Sequence, residues 1–178
     1  MAPRMPTPNE PTPRRPLLGL RRTPGRLALA VFGVPRHLYR RGWGWLLGRT
    51  FLMLIHVGRN TGQLRETVAM VLADEPTTGE LVICSAWGPN ADWVRNLQTG
   101  PAHEVRVGRD RFVPVHRFLT DDEACSVGVA FRQAHPHRLR LLSTILGWGD
   151  LRSDDAVRIF VHRHPFVNLR PTHQIENV

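Results

Sequence analysis

The segment FLMLIHVGRNTGQLRETVAMV, residues 51–71, decides the fold. The segment begins with a run of large apolar residues, Phe51–Val57. A second strand-like run, Arg65–Ala73, starts within the segment and ends two residues after it. Such runs are typical of β-strands, and the polar stretch between them, which contains two glycines, is typical of a tight turn. The segment therefore predicts a β-hairpin, the first unit of a sheet.

The turn between these strands carries groups that suit an anionic ligand. Arg59 and Arg65 flank it, and Thr61, Gly62 and Gln63 supply small or hydrogen-bonding groups inside it. Exposed backbone N–H groups and guanidinium groups together can hold a phosphate. The alternative is an ordinary solvated turn, because glycine, threonine and asparagine are common turn residues.

The rest of the chain divides into short elements punctuated by glycine and proline. Asp74–Gly79 is a turn, and Thr120–Glu123 has the pattern of a capping box that opens a helix ending near Ala134. Further strands are expected at Glu80–Ser85, His103–Val107 and Arg111–Phe118, and a last strand is expected from Val157–Val161 and Phe166–Leu169. Two further helices are expected, one over Asn90–Thr99 with Asn90 as its N-cap and one from residue 138 to about Leu146.

This order of elements favours a mainly β protein with inserted helices. One helix precedes the fourth strand, and a helical pair precedes the last strand. Because short turns link most consecutive strands, antiparallel pairing is favoured over βαβ units. The sequence therefore predicts a small antiparallel barrel of about six strands, closed or partly open.

Composition divides the 178 residues into four segments around one domain. Residues 1–24 are rich in proline and arginine and are expected to be disordered. Residues 25–48 show apolar positions at helical spacing, interrupted by proline and glycine, which predicts two short helices or one bent helix. The barrel is expected over residues 49–171, and a short tail over residues 172–178.

The chain is strongly basic, with a formal net charge of +9. Such a charge implies an acidic partner: nucleic acid, an anionic membrane surface or a polyanionic small molecule. Eleven arginines lie between Pro11 and Arg65, although a GC-rich genome would produce the same bias. No RNP-like or zinc-finger pattern accompanies them, so nucleic acid is the less favoured partner. The basic, amphipathic residues 25–48 either cap the barrel or touch a membrane surface.

The sequence gives little indication of a metal site or of a disulfide bond. His162 and His164 are separated by one residue, but no acidic or thiol side chain completes a ligand set, and no metal site is expected. Cys84 and Cys125 form no CxxC pair, so each is expected to be a small buried residue. The N-terminus lacks the apolar core of a secretory signal, which favours a cytoplasmic location, with or without membrane association.

A second cluster, SAWGPNADWVRNL at residues 85–97, strengthens the indication of a ligand. It follows an apolar strand and opens a helix, whose first N–H groups could face an anion. Trp87 could lie against a flat ring system or fill the barrel mouth. Trp93 and Leu97 are four residues apart on one helix face, which favours a core position for both.

The two clusters, in this order, resemble the deazaflavin-dependent nitroreductase family, actinobacterial oxidoreductases that use coenzyme F420. The family shows an apolar strand that runs into TGRxTGxxR, a second strand, an apolar strand that runs into S-x-x-G, and W-x-x-N-L before a proline. The matching residues are His56-Val57-Gly58-Arg59-Asn60-Thr61-Gly62, Arg65, Ser85, Gly88, Trp93, Asn96, Leu97 and Pro101. The hairpin VRVGRDRFVPV and the leader RHLYRRGWGWLLGRTFLML are also similar to family segments, so that the resemblance covers roughly residues 36–171.

The resemblance implies a split β-barrel of the FMN-binding type that binds F420, whose tail carries a phosphodiester and several glutamates. Arg59, Asn60, Thr61, Gly62 and Arg65 would hold that tail, and Ser85, Ala86 and Trp87 would line the deazaflavin ring. Trp93 and Asn96 would brace the ring loop. The wider implied cofactor-binding set adds Val57, Gly58, Thr67 and Gly88.

Two departures from the family affect what the resemblance implies. The position after Arg59 is often lysine in the family, and Asn60 here removes one charge from the tail site. The segment between Gln133 and Asp155 lacks the family's tyrosines, so no proton donor is assigned there and no catalytic residue is named.

The function implied by the resemblance is hydride transfer from reduced deazaflavin to an electron-poor acceptor such as a quinone or nitro compound. One alternative is a split-barrel carrier or reductase that uses FMN, haem or a fatty acid. A second alternative is a nucleic-acid or anionic-membrane binder that uses the Arg-rich residues 11–65. The resemblance also implies that the chain is a monomer or a homodimer.

Overall fold

The structure, a computed structural model, describes residues 35–174. The expected disorder of residues 1–24 and the first part of the expected helical segment therefore lie outside the described residues. Residues 35–40 are helical, and Gly44–Leu47 form a 3₁₀ turn. None of the described helices is both long and apolar enough to cross a membrane.

Six antiparallel strands close into one barrel, in the order β1-β2-β3-β6-β5-β4. The prediction of a six-stranded antiparallel barrel is therefore confirmed, and the first strand has the predicted bounds. The strands are β1 (Phe51–Val57), β2 (Leu64–Asp74), β3 (Leu81–Cys84), β4 (Ala102–Val107), β5 (Asp110–Phe118) and β6 (Phe166–Gln174).

Four helices connect these strands, namely α1 (Asp92–Leu97), α2 (Asp121–Ala134), α3 (Pro136–Leu146) and α4 (Asp154–Val161). The predicted capping box opens α2, because the Thr120 side chain accepts from the Glu123 N–H and Glu123 accepts from the Thr120 N–H. Arg117 and this cap lower the pKa of Glu123 to about 2. The capping box therefore fixes the start of the helix that follows the barrel's fifth strand.

The barrel interior is filled by alternate residues of the strands, as the period of two in a β-strand requires. Trp93 and Leu97 of α1 pack into the same cluster, which confirms their predicted core positions. Because α1 contacts β1 and its side chains enter the core, the helix plugs the barrel where β1 ends and β2 begins. Fully buried interior residues are Leu52, Leu54, Leu81, Ile83, Val105, Val107, Val167 and Leu169.

The outer face of the barrel is covered on two sides. Val82 on β3 packs against Ala124 of α2 and Val157 of α4. On the other side Tyr39 packs on Met53 and donates from its hydroxyl to the Phe51 carbonyl over 2.6 Å. Burial raises the pKa of Tyr39 to about 12, so this hydroxyl remains a donor. The segment before β1 is thereby fixed to the barrel.

The prediction that Val157–Val161 begins the last strand is wrong, because these residues belong to α4. The Ser153 side chain accepts from the Ala156 N–H over 3.2 Å, and two aspartates occupy the first turn, which favours a helix start. The last strand is β6 alone, and it continues past the expected boundary at residue 171.

Arginines before the second strand are paired with acids that come later in the chain. Arg36 lies 3.4 Å from Glu66. Arg49 bridges Asp74 and Asp110. The described part of the Arg-rich segment therefore presents less unpaired positive charge than composition alone indicates.

Candidate functional site

The backbone of the turn between β1 and β2 is largely satisfied within the protein. Gly58 N–H donates to the Gln63 carbonyl over 2.8 Å, and the N–H groups of Thr61 and Gly62 donate to the Gly58 carbonyl. The Gln63 N–H points to the Thr61 hydroxyl at 3.4 Å. The expectation that this turn offers its N–H groups to a phosphate is corrected, because these donors already have partners.

Arg59 joins this turn to α1. Its backbone N–H donates to the Asn96 side-chain carbonyl over 3.1 Å, and its guanidinium donates to the same oxygen and to the Asp92 carboxylate, each over 3.0 Å. The Arg59 side chain keeps 24% of its surface exposed, and the residue as a whole is exposed. Arg59 therefore fixes the turn to α1, and Asp92 offsets part of its charge, while its expected contact with a cofactor tail stays a prediction.

Asn96 is the centre of this polar network. It is buried, its carbonyl accepts from Arg59, and its amide donates to His56 Nδ1 over 3.1 Å. Burial lowers the pKa of His56, and the charge of Arg65 lowers it further. His56 is therefore neutral near pH 7 and can accept from Asn96. Asn96, expected to brace the loop after β3, braces the turn instead.

The exposed side chains of the turn are what a ligand can reach. Asn60, Thr61, Gln63 and Arg65 are exposed, whereas Gly58 is buried. A Cβ on Gly58 would lie 3.0 Å from the Thr61 hydroxyl, so a larger residue here would force the turn to shift by a few tenths of an ångström. One guanidinium, two amides and one hydroxyl form a donor set that suits a polyanionic tail. Val57 and Thr67, the flanking expected residues, are partly buried strand positions.

The loop after β3 begins with a buried brace. Ser85 is fully buried, and its hydroxyl donates to the Gly88 carbonyl over 2.7 Å. Gly88 has φ of 79° and a Cβ there would lie 3.1 Å from the Arg163 carbonyl, so glycine is required. Ser85 and Gly88 are buried and shape the loop, and the expected contact of Ser85 with the deazaflavin ring stays a prediction.

The C-terminal third of the domain holds this loop through two aromatic donors. His164 Nδ1–H donates to the Ser85 carbonyl over 2.7 Å, and Trp148 Nε1–H donates to the Ala86 carbonyl over 3.0 Å. The His164 ring stacks on Phe160 with centroids 4.0 Å apart. Burial lowers the pKa of His164, so the imidazole is neutral near pH 7 and its Nδ1 carries the hydrogen.

These residues form the wall of a cleft of about 670 Å³. Asn90, expected as the N-cap of α1, lines this cleft, and the N-cap is Ala91. The volume lies in the range of small-molecule sites, and the walls combine aromatic side chains with about as much polar as apolar surface. The lining residues are Ala86, Trp87, Asn90, Leu146, Gly147, Trp148, Leu151, Ala156, Ile159, Phe160, Arg163 and His164.

The cleft and the turn lie on two sides of the same loop. Asn90 lines the cleft, and Asp92, two residues later, binds Arg59 of the turn. Two residues span at most about 7 Å, so the Asn90 edge of the cleft lies close to the Asp92 contact with the turn. The structure thus brings the two predicted clusters together, with Ala86 and Trp87 on the cleft side.

Sequence reasoning missed the far wall of the cleft. Trp148 and Phe160 were not singled out, and His164 was weighed only with His162 as a metal pair. The two histidines have separate partners, since His162 binds Asp121 over 2.7 Å. Within residues 35–174 no cluster of three or more metal-ligating side chains occurs.

Comparison with known proteins gives a family match and several structural likenesses. A family model described as F420H(2)-dependent quinone reductase matches residues 36–137. No curated protein shows significant similarity to the chain.

Among solved structures, the protein Atu2129 from Agrobacterium tumefaciens str. C58 is 14% identical with a TM-score of 0.50, covering 82% of this chain and 58% of that one. The F420-H2 dependent reductase FDR-A is 16% identical with a TM-score of 0.46, covering 68% of this chain and 95% of that one. The heme storage protein HutZ from Vibrio cholerae is also 16% identical with a TM-score of 0.46, covering 76% and 91%. The likeness to Atu2129 concerns the fold alone.

Proposed function

Because the chain belongs to the F420H2-dependent quinone reductase family and is an F420-dependent reductase, we propose that its acceptor is a quinone-type ring bound in the aromatic cleft. The observation that carries the proposal is the cleft wall of Trp148, Phe160 and His164 beside the Ala86–Trp87 loop. Flat aromatic side chains suit a flat, weakly polar ring. The family match also places F420 ahead of FMN, haem or a fatty acid as the ligand.

The cofactor tail is assigned to the exposed side chains of the turn. Arg65 supplies the charge, and Asn60, Thr61 and Gln63 supply neutral donors. Arg59 contributes through its position, because it holds the turn against α1 through Asn96. A phosphate or carboxylate on this surface would be bound mainly by side chains, since the N–H groups of Gly58, Thr61 and Gly62 are used internally.

The reacting rings are assigned to the cleft. F420, when bound in its reduced form, supplies the hydride that the acceptor takes up. Ala86 and Trp87 line the cleft, and Trp148 and His164 keep their loop in place through the Ala86 and Ser85 carbonyls. Arg163 lines the cleft and can stabilise negative charge that develops on an acceptor oxygen.

The direct test of cofactor binding is a titration of F420 into the full chain, followed by the fluorescence of the cofactor. Saturable binding in the micromolar range or below is expected. No binding at high micromolar F420 would contradict the assignment of both regions.

The acceptor class is tested with the reduced cofactor and two acceptors of similar size, a naphthoquinone and a nitronaphthalene. The proposal expects a higher kcat/KM for the quinone, because its ring fills the aromatic cleft and its two oxygens meet Arg163 and the cleft rim. Equal or higher kcat/KM for the nitro compound would overturn the quinone assignment and leave the cofactor assignment intact.

Contact with a membrane surface is a further part of the proposal, since many quinones partition into lipid. Trp43, Trp45 and Leu46 are 52%, 49% and 56% exposed, beside the exposed Arg40 and Arg41. Indole rings flanked by guanidinium groups suit the headgroup region of an anionic bilayer.

Sedimentation with vesicles tests this contact. The protein is expected to sediment with phosphatidylglycerol vesicles but not with phosphatidylcholine vesicles, and the Trp43→Ser/Trp45→Ser double variant should remain in the supernatant. Equal sedimentation of this variant would remove the patch from the proposal.

A further inference from the structure

The imidazole of His164 lines the aromatic cleft with one ring nitrogen bound to the protein and the other left open. Its Nδ1–H donates to the Ser85 carbonyl over 2.7 Å. Its Nε2, on the other side of the ring, has no hydrogen-bond partner among residues 35–174 and is not closed off from solvent. Because the ring is part of the cleft wall, this accessible nitrogen can meet a molecule that lies in the cleft.

Three contacts fix the direction in which Nε2 faces. The His164 ring stacks on Phe160, with the two planes 13° apart, and meets the Trp148 ring at an angle of 63° with centroids 5.8 Å apart. The hydrogen bond to Ser85 then sets the rotation of the ring within its stack. A flip of the ring would break this hydrogen bond, so Nε2 is held in one orientation before any ligand arrives.

The surroundings of His164 keep the resting imidazole neutral. Burial lowers its pKa, the hydrogen bond to Ser85 acts in the opposite direction, and the charge of Arg163 lowers the pKa further. The Phe160 and Trp148 rings, which pack against the imidazole, carry no charge. Near pH 7 Nε2 therefore carries a lone pair, and the imidazolium formed when it binds a proton is an acid that readily gives that proton up.

Reduction of a quinone-type ring needs a proton as well as a hydride. Addition of the hydride alone leaves a hydroquinone monoanion, and one further proton completes the neutral hydroquinone. Arg163, next to His164, lines the same cleft and can stabilise the anionic oxygen. Negative charge beside an imidazole also favours its protonated form, so the proton is held most strongly in the state that requires it.

Given the quinone-type acceptor proposed for this cleft, on which the inference rests, we propose that His164 is the catalytic acid of the reaction. The Nε2–H bond breaks, and an O–H bond forms at the acceptor oxygen that becomes negative as the hydride arrives. Both electrons come with the hydride, and the neutral imidazole regains a proton from solvent. The two ring nitrogens thus have separate tasks, since Nδ1 holds the loop and Nε2 supplies the proton.

The placement of Nε2 is tested on the full chain without F420, by isothermal titration with 2-naphthol and 2-methoxynaphthalene. These probes differ in one O–H group, which Nε2 can accept near pH 7. The 2-naphthol should bind about fivefold more tightly, as expected for one hydrogen bond. His164→Asn, whose amide can replace the Nδ1–H donor but not Nε2, should abolish the difference. Equal affinities, or no measurable binding of either probe to the wild-type protein, would overturn the proposal.

The proton transfer is tested with two acceptors, a naphthoquinone, which takes up a hydride and a proton, and 10-methylacridinium, which takes up a hydride alone. His164→Asn should lower kcat for the quinone by a factor on the order of 10², and kcat for the acridinium by less than about twofold. In the wild-type protein, kcat for the quinone should fall as the pH rises through the pKa of His164, because the acid form is lost. This dependence should be absent in His164→Asn.

His162→Asn is the matched control, because it makes the same change two residues away, at a side chain that pairs with Asp121 and lies outside the cleft wall. It should alter neither acceptor's kcat. Equal losses with both acceptors in His164→Asn would mean that the residue only holds the loop, and an unchanged kcat for the quinone would mean that solvent supplies the proton; either result overturns the proposal. Failure of the proposed function is separate, since it would appear in the wild-type protein as absent F420 binding or as preference for the nitro compound.

Discussion

The Gly58–Arg65 turn and the aromatic cleft lie on two sides of one loop, but different forces hold them. The turn is fixed by hydrogen bonds and charge, through Arg59, Asn96 and Asp92. The cleft is fixed by aromatic packing and by two side chains, Trp148 and His164, that donate to loop carbonyls. The turn is a polar clamp, and the cleft is a space whose aromatic walls are held mainly by packing.

This difference has a consequence for specificity. A polar clamp has fixed geometry, because each hydrogen bond sets a distance and a direction. A packed wall accepts side chains of similar volume with a small loss of stability. We therefore expect the turn to determine cofactor affinity and the cleft to determine which acceptor is used, and variants should separate the two.

The largest expected effect comes from removal of the centre of the clamp. Asn96→Ala leaves His56 and the Arg59 guanidinium without their shared buried partner, and should lower the free energy of unfolding by about 2–3 kcal/mol. Urea denaturation measures this change. Gln98→Ala, an exposed change just after the same helix, should have almost no effect. Similar unfolding of the two variants would show that the polar network does not fix the turn.

The next effect tests the turn as the cofactor site. Arg65→Gln removes an exposed guanidinium but keeps a donor, and should weaken F420 binding about tenfold, since charge-assisted hydrogen bonds are the stronger ones. The KM for the acceptor should not change. Arg170→Gln, an exposed change of the same charge on β6, controls for the loss of overall charge.

How well each region follows from the sequence depends on how local its contacts are. The bounds of β1 and the capping box at Thr120 were predicted correctly, because strand periodicity and helix capping act over a few neighbouring residues. The aromatic cleft was missed. Trp148 reaches Ala86 across 62 residues and His164 reaches Ser85 across 79, and no local pattern marks such contacts.

The family resemblance located the turn and the loop but not the role of each side chain. Arg59 was expected to bind the cofactor tail, and the structure engages it with Asp92 and Asn96. Asp92 lies only three residues before Arg95 on the same helix, where a local pair between the two would be the simpler expectation. Nothing in the sequence indicated that its carboxylate would instead face Arg59 in the turn. The partner of a charged side chain is set by tertiary contacts, which a motif does not contain.

A smaller effect tests the cleft. Trp148→Phe keeps an aromatic wall but loses the hydrogen bond to the Ala86 carbonyl, and should lower kcat/KM for a quinone about fivefold through a higher KM. The affinity for F420 should change less than that. Leu141→Ala, at an exposed leucine of α3 outside the cleft, is the control. An equal loss in F420 affinity and in quinone KM would mean that one region serves both ligands.

The smallest expected effect is a gain. Asn60 is exposed in the turn, next to Arg59. Asn60→Lys adds a cation beside Arg65 and should tighten F420 binding about threefold at low salt, with the gain declining as salt is added, because exposed charges are screened. Fluorescence titration at two salt concentrations measures this change.

Ala130→Lys adds the same charge on an exposed position of α2, away from the turn, and separates a local effect from the change in overall charge. Asp92 already neutralises the charge of Arg59 through their ion pair. A new cation at residue 60 would therefore attract an anionic ligand more than it would alter the ion pairs within the protein. Equal F420 affinities for Asn60→Lys and Ala130→Lys would place the cofactor tail away from this turn, and the polar clamp would then be a purely structural device.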